Sequence, residues 1–181
     1  VLCYFGDGAI HQGSFHESLN LAKILGLPVI YICENNQYGM GTLFSRVSSV
    51  EELFVRGTSY NIPGKQVNGM DVLEVYDNIQ EAVKTVRETS EPLLFEIKTY
   101  RYRGHSMSDP AKYRTKEELE NYRQQDPILI LKKQLVTEEV FDEEKLEGID
   151  EEAKKISAQS VQFSEESAEP SIDSLYSDIY A

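Results

Sequence analysis

Gly6-Asp7-Gly8 and Asn35-Asn36 are the residues whose types and spacing first suggest chemistry. A carboxylate and a carboxamide are hard oxygen ligands. Mg²⁺ or Ca²⁺ prefers them to the His and Cys that zinc selects. Two side chains cannot complete an octahedron, and Mg²⁺ ordinarily fills the remaining positions with water or phosphate oxygens. The glycines beside Asp7 remove side chains where a bulky anion must approach the backbone. The pair therefore predicts a divalent cation clamping a diphosphate. Either half alone reads as an ordinary turn or loop. Their placement at the ends of two consecutive apolar runs, about 26 residues apart, is what argues for a site.

A second candidate is the stretch YRYRGHSMSDPAKY, residues 100–113, with Arg101, Arg103, His105 and the adjoining Arg114 as cations. His105 lies between Gly104 and Ser106 after an apolar run. A histidine so placed can titrate near neutrality and reach into a cleft. The plainer reading is a basic, solvated loop. His11, His16 and Glu17 lack the His-Glu-x-x-His spacing of a zinc site, and the two histidines fall on different helix faces.

These residues need elements to hold them. Val1-Leu2-Cys3-Tyr4-Phe5 and Val29-Ile30-Tyr31-Ile32-Cys33 are short continuous apolar runs, which predict buried parallel strands. Between them Phe15, Leu19 and Ala22 recur at helical spacing, and Gly26 and Pro28 stop the helix. Residues 35–64 read as irregular, with a helical turn or two at 50–55. Lys65-Gln66-Val67 predicts a short strand. Asp71 should cap a helix whose inner face carries Val75, Ile79, Val83 and Val86. Residues 93–100 predict another strand. Thr115-Lys116-Glu117-Glu118 resembles a capping box, and Asp126-Pro127-Ile128 starts another helix. Residues 138–169 are strongly acidic, with a stripe at Ile149, Ala153 and Ile156 that suits a solvated amphipathic helix. The alternation predicts an α/β fold with a mainly parallel sheet flanked by helices and a helical C-terminal tail. In such sheets ligands bind beyond the carboxyl ends of the strands, where both Asp7 and Asn36 fall. The expected division is an α/β domain at 1–137 and an acidic helical extension at 138–181, packing on the same domain or on a partner.

Composition narrows the class. Acidic residues number 31 against 18 Lys+Arg, which argues against nucleic acid as a partner. No run approaches the roughly 20 apolar residues of a membrane span. Cys3 and Cys33 sit in apolar runs and read as buried, reduced thiols. The chain opens on an apolar strand at Val1 without Met and without a targeting segment, so a preceding N-terminal part is expected.

Residues 6–42 read GDGAIHQGSFHESLNLAKILGLPVIYICENNQYGMGT. This resembles the thiamine-diphosphate motif as it occurs in alpha subunits of the decarboxylating component of pyruvate and acetoin dehydrogenases. The resemblance implies the thiamine-diphosphate-binding fold. It implies Mg²⁺ held by Asp7, the Asn36 side chain and the Tyr38 carbonyl, with Gly8 and Ala9 touching the diphosphate. His11 departs from the Asn usual there. The wording GHSMSDP resembles the active-site loop of the pyruvate enzymes. It implies that His105 lies at the cofactor and assists acetyl transfer, and that Ser106 matches a regulatory phosphosite. Lys112-Tyr113 and Val50 stand where further phosphosites would be expected, which points to a bacterial, cytoplasmic source rather than the mitochondrial matrix. The ending SLYSDIYA also resembles these subunits. The implied function is oxidative decarboxylation of pyruvate with acetyl transfer to lipoamide, linking glycolysis to acetyl-CoA and CO₂. The implied partners are a beta subunit, in an alpha2-beta2 heterotetramer, and the lipoyl domain of the acetyltransferase component. The carboxylate that activates the cofactor's aminopyrimidine is expected from the beta subunit. The alternatives are an acetoin or branched-chain 2-oxo acid dehydrogenase subunit, or a non-catalytic fragment that only binds a partner.

Overall fold

The computed structural model describes residues 1–179; Tyr180 and Ala181, the last two residues of the SLYSDIYA ending, lie outside the described residues. The chain divides into two compact units, Val1–Leu131 and the residues from Lys132 onward.

The first unit is built on a four-stranded parallel sheet. Its strands are β1 (Leu2–Gly6), β2 (Ile30–Asn35), β5 (Gly64–Asn68) and β6 (Leu93–Lys98), in the order β1-β2-β6-β5. A small antiparallel pair, β3 (Tyr38–Gly39) and β4 (Thr42–Leu43), follows β2. The alternation of side chains along each strand sorts the core into two layers. Tyr31, Cys33 and Leu94 face Phe15, Leu19 and Ala22 of helix α1 (Gly13–Ile24). Ile30, Ile32, Phe95 and Ile97 face helix α2 (Val72–Thr89) through Ala82 and Val86. The sheet is thus covered on both faces, as the α/β expectation requires.

The apolar periodicity and the helix signals at Asp71 and Gly26 act as written in the sequence. Asp71 accepts hydrogen bonds from the Leu73 and Glu74 amides at 3.0 Å each, satisfying two of the donors that open α2. Gly26 takes a positive φ of 59° just beyond α1, where a side chain would be strained. Val75, Ile79 and Val83 are only half-buried along the α2 core face. Residues 53–60 form a 3₁₀ stretch that closes the α1 side of the sheet with Leu53.

One strand departs from expectation. β1 is an edge strand with β2 as its sole neighbour, so it is not buried: Leu2 and Tyr4 are 45% and 59% exposed. Its inward residues Cys3 and Phe5 are half-buried against the α1 layer. Cys3 is therefore partly accessible, whereas Cys33 is buried and burial pushes its thiol well up.

Helix α3 (Lys116–Arg123) and helix α4 (Pro127–Thr137) follow the loop after β6. The boundary between the two units falls inside α4. The second unit contains helix α5 (Glu143–Glu166), capped by Asp142 on the Lys145 amide at 2.8 Å. Lys154 pairs with Asp150 and Glu151 one turn back at 2.8 and 2.9 Å, and these exposed pairs contribute little. α5 buries none of its residues. No helix among the described residues is long and apolar enough to cross a membrane.

Candidate active site

Three parallel strands end together. β1 runs out at Gly6, β2 at Asn35 and β6 at Lys98, with Gly6 in register with Glu34 and Asn35 in register with Lys98. Beyond these carboxyl ends lies a cleft of roughly 760 Å³. Asp7, Gly8, Ala9, Asn36, Tyr38 and His105 all line it. The two stretches singled out in the sequence, near Asp7 and near His105, are therefore brought to one cavity.

Asp7 follows β1 directly and is only 2% exposed. Burial pushes its carboxyl upward, opposed by backbone hydrogen bonds from Asp7 and Asn36 and by the charges of Arg101 and His11. Among the described residues the ion pairs are Lys23–Glu91 and those of Lys154, so Asp7 belongs to none. A buried carboxylate without a paired cation costs stability unless a ligand supplies the charge. Asp7 and the Asn36 side chain offer oxygen donors to the cleft, and no group of three His, Cys, Asp or Glu residues that could hold a metal occurs among the described residues. Such a donor set suits a hard cation that brings its own further ligands.

The two asparagines divide their work. Asn35 is buried, and its amide donates to Glu96 Oε1 at 2.7 Å while its Oδ1 accepts from the Gln37 amide at 3.1 Å. It aims the turn. Asn36 lines the cleft, and its Oδ1 accepts from the Tyr38 amide at 3.2 Å, which leaves one lone pair for a cation. Gln37 and Met40 take positive φ of 74° and 55°, which lets the chain fold back into the β3–β4 hairpin. Across the cleft floor a Cβ built on Gly8 would stand 3.7 Å from the Gly39 Cα, so two glycine backbones meet there.

Glu96 was not anticipated from the sequence. It is fully buried in the middle of β6, and its carboxylate accepts from Asn35, from the Leu53 amide at 2.8 Å, from the Phe54 amide at 3.4 Å and from Gln66 at 3.2 Å. It joins β2, β5, β6 and the 3₁₀ stretch beneath the cleft. The signal was present, since an acid stands inside the apolar run LLFEI.

His105 sits in a loop tied by Asp109. That carboxylate accepts from the His105 amide at 2.7 Å, the Ala111 amide at 2.8 Å and the Tyr113 hydroxyl at 2.7 Å. These bonds, the tyrosine's first, hold Asp109 down at about 2. Arg101 reaches from the loop to the Met40 carbonyl at 2.6 Å and approaches His105 Nδ1 at 3.4 Å. Ser106 is exposed, outside the cleft lining, and hydrogen-bonded to Ser108 at 3.2 Å. His16 bonds Tyr60 at 2.7 Å, and His11 stacks on Phe44 with centroids 6.1 Å apart. A Cβ on Gly104 would fall 2.4 Å from the Asp109 carbonyl oxygen. Gly104→Ala should therefore force the loop open and speed proteolytic cleavage within 101–114 about tenfold. Cleavage at the parental rate would show that the turn tolerates the methyl.

The expected capping box is only half made. Thr115 Oγ1 accepts from the Glu118 amide at 3.0 Å, but the Glu118 carboxylate turns away from the helix start to receive two tyrosine hydroxyls. Burial and those bonds push Tyr38 and Tyr100 each up to about 12.

The chain belongs to the dehydrogenase E1 component family, whose model matches residues 1–173. It is similar to the pyruvate dehydrogenase E1 component subunit alpha of Rickettsia bellii, 48% identical over 177 residues (98% of this chain, 54% of that one). The Rhizobium meliloti subunit of the same name is 49% identical over 179 residues (98% and 51%). The mitochondrial form from Schizosaccharomyces pombe is 46% identical over 180 residues (97% and 44%). The chain thus spans about half the length of these relatives.

Proposed function

We propose that this chain supplies the metal and diphosphate end of a thiamine-diphosphate site in a pyruvate dehydrogenase E1 assembly. The assembly would decarboxylate pyruvate oxidatively and pass the acetyl group to a lipoyl group. The observation that carries the reading is Asp7, buried at the carboxyl edge of the sheet, outside every ion pair among the described residues, and sharing one cleft with Asn36, Tyr38 and His105. Asp7 would hold Mg²⁺ through its carboxylate, Asn36 through its side-chain oxygen and Tyr38 through its carbonyl. Gly8 and Ala9 would let the backbone approach the diphosphate. When bound, thiamine diphosphate supplies the electron sink for breaking a carbon–carbon bond, and Mg²⁺ neutralises its phosphates. The chain's own contribution is orientation and exclusion of water, through Phe44 and Val47 on the cleft wall. His105 would hold a proton at the cleft mouth during acetyl transfer, and Ser106 is the candidate regulatory phosphosite.

The names of the relatives and the GHSMSDP wording favour pyruvate over acetoin and branched-chain 2-oxo acids. The proposed partners are a beta subunit in an alpha2-beta2 assembly and a lipoyl domain. The bacterial cytoplasm is the compartment we assign, in line with the Rickettsia and Rhizobium relatives. In the assembly, His105→Ala should slow acetyl transfer to a lipoyl domain about 100-fold while leaving thiamine-diphosphate affinity within twofold. Unchanged transfer would remove His105 from the reaction. A panel of pyruvate, acetoin and 3-methyl-2-oxobutanoate should be ranked with pyruvate first; any other order overturns the substrate assignment.

A further inference from the structure

The two halves of the cleft come from distant parts of the chain, the turn at 36–40 and the loop at 101–114. The Arg101 guanidinium bridges them through the Tyr38 and Met40 carbonyls at 3.4 and 2.6 Å, and one carboxylate joins them from the side of α3. Glu118, in the first turn of α3, accepts from the Tyr38 hydroxyl at 2.9 and 3.2 Å and from the Tyr100 hydroxyl at 2.9 Å. Tyr38 lines the cleft and is the residue whose carbonyl we propose as a metal ligand, and Tyr100 begins the His105 loop. Around them the rings close a box: Tyr38 lies 5.3 Å from Tyr113 between centroids, and Tyr100 stacks on Tyr122 at 3.9 Å. The Arg114 guanidinium carbon stands 5.8, 5.5 and 5.6 Å from the Tyr38, Tyr100 and Tyr113 centroids. It also donates to the Arg103 carbonyl at 2.8 Å, tying the loop's two limbs.

A carboxylate is the natural acceptor for two hydroxyls at once, since it offers about four lone-pair positions and no donor. Hydrogen bonds to a charged acceptor are roughly twice as strong as neutral ones. A solvated helix-surface glutamate would not be directed inward to two phenols. The cost of turning Glu118 away from the Thr115 amide is a forfeited half of the capping box, which those two bonds offset. We propose that Glu118 is a positioning residue that orders the Tyr38 turn and the His105 loop as one unit, so that the metal side and the transfer side of the cleft form together. The functional consequence rests on the thiamine-diphosphate reading; the mechanical coupling does not.

The test is hydrogen exchange on the native chain with its beta partner, first without thiamine diphosphate or Mg²⁺. Glu118→Ala should speed amide exchange about tenfold in both 36–44 and 101–114, the loss of a charge-assisted bond. Glu118→Gln, which keeps an acceptor oxygen, should restore protection in both to within about twofold. Tyr38→Phe keeps the ring and removes one hydroxyl. Its effect should vanish in the Glu118→Ala background, the signature of a shared interaction. With cofactor added, Glu118→Ala should raise the apparent dissociation constant of thiamine diphosphate about tenfold and leave the KM for pyruvate unchanged. Loosening confined to one segment, a Gln variant as damaged as the Ala variant, or additive Tyr38 and Glu118 effects would each overturn the proposal. Joint loosening in a chain that binds no thiamine diphosphate would keep the coupling and refute the cofactor reading. Binding that depends on Asp7 but not on Glu118 would keep the cofactor reading and refute the functional consequence of the coupling.

Discussion

Asp7→Asn is expected to lower thiamine-diphosphate affinity by at least about 100-fold, because even residues that only support a metal ligand cost 10–100-fold when changed. The substitution keeps the shape of the side chain and its capacity to accept the backbone hydrogen bonds that reach Asp7. What it removes is the charge. Asp7 is buried, burial raises its carboxyl, and it belongs to none of the ion pairs among the described residues. In the absence of cofactor the ionised carboxylate is therefore a cost to the fold. The variant should lose binding and turnover while its cofactor-free form melts at the parental temperature or above. A structural aspartate would behave in the opposite way, with stability lost and binding affected only through unfolding. Equilibrium binding and thermal melting of the same preparations, in the assembly with the beta partner, separate the two.

Glu96→Ala should be the most destabilising single change in the first unit. The carboxylate accepts from four N–H groups contributed by Asn35, Leu53, Phe54 and Gln66, and it is fully buried. Each abandoned donor costs on the order of 1–3 kcal/mol, offset in part by any water that enters the space. A net loss of about 3–5 kcal/mol is expected, or a fall in melting temperature of at least about 10 °C. Glu96→Gln presents an amide N–H to neighbours that are all donors, and should cost about 1–2 kcal/mol. It should also weaken cofactor binding, because Asn35 aims the Asn36 turn only while Glu96 holds it. A melting point within about 2 °C of the parent for Glu96→Ala would show that the four donors find other partners.

The sheet was legible because continuous apolar runs and helical spacing carry it. LCYF, VIYIC and LLFEI read as strands, and the Phe15, Leu19, Ala22 and the Val75, Ile79, Val83, Val86 series read as helix faces. The order of strands was not legible. An apolar run records what a strand prefers and not how many neighbours it has, so β1 was expected buried and lies at the edge. In the site, Asp7 and Asn36 could be found from residue type and spacing, since both stand at strand ends. Glu96 and Glu118 could not be weighed from pattern alone. The first was one acid in an apolar strand, and its four donors come from three separate segments. The second matched a capping box, and only the approach of Tyr38, 80 residues earlier, shows where its carboxylate goes.

The central claim is that the cleft beyond β1, β2 and β6 binds a diphosphate through a cation held by Asp7 and Asn36. Calorimetric titration of thiamine diphosphate into the assembled protein, with Mg²⁺ and again with Mg²⁺ removed by chelation, tests it most directly. Saturable binding with Mg²⁺ that collapses on chelation is the predicted result. Equal binding in both conditions, or none in either, would contradict it.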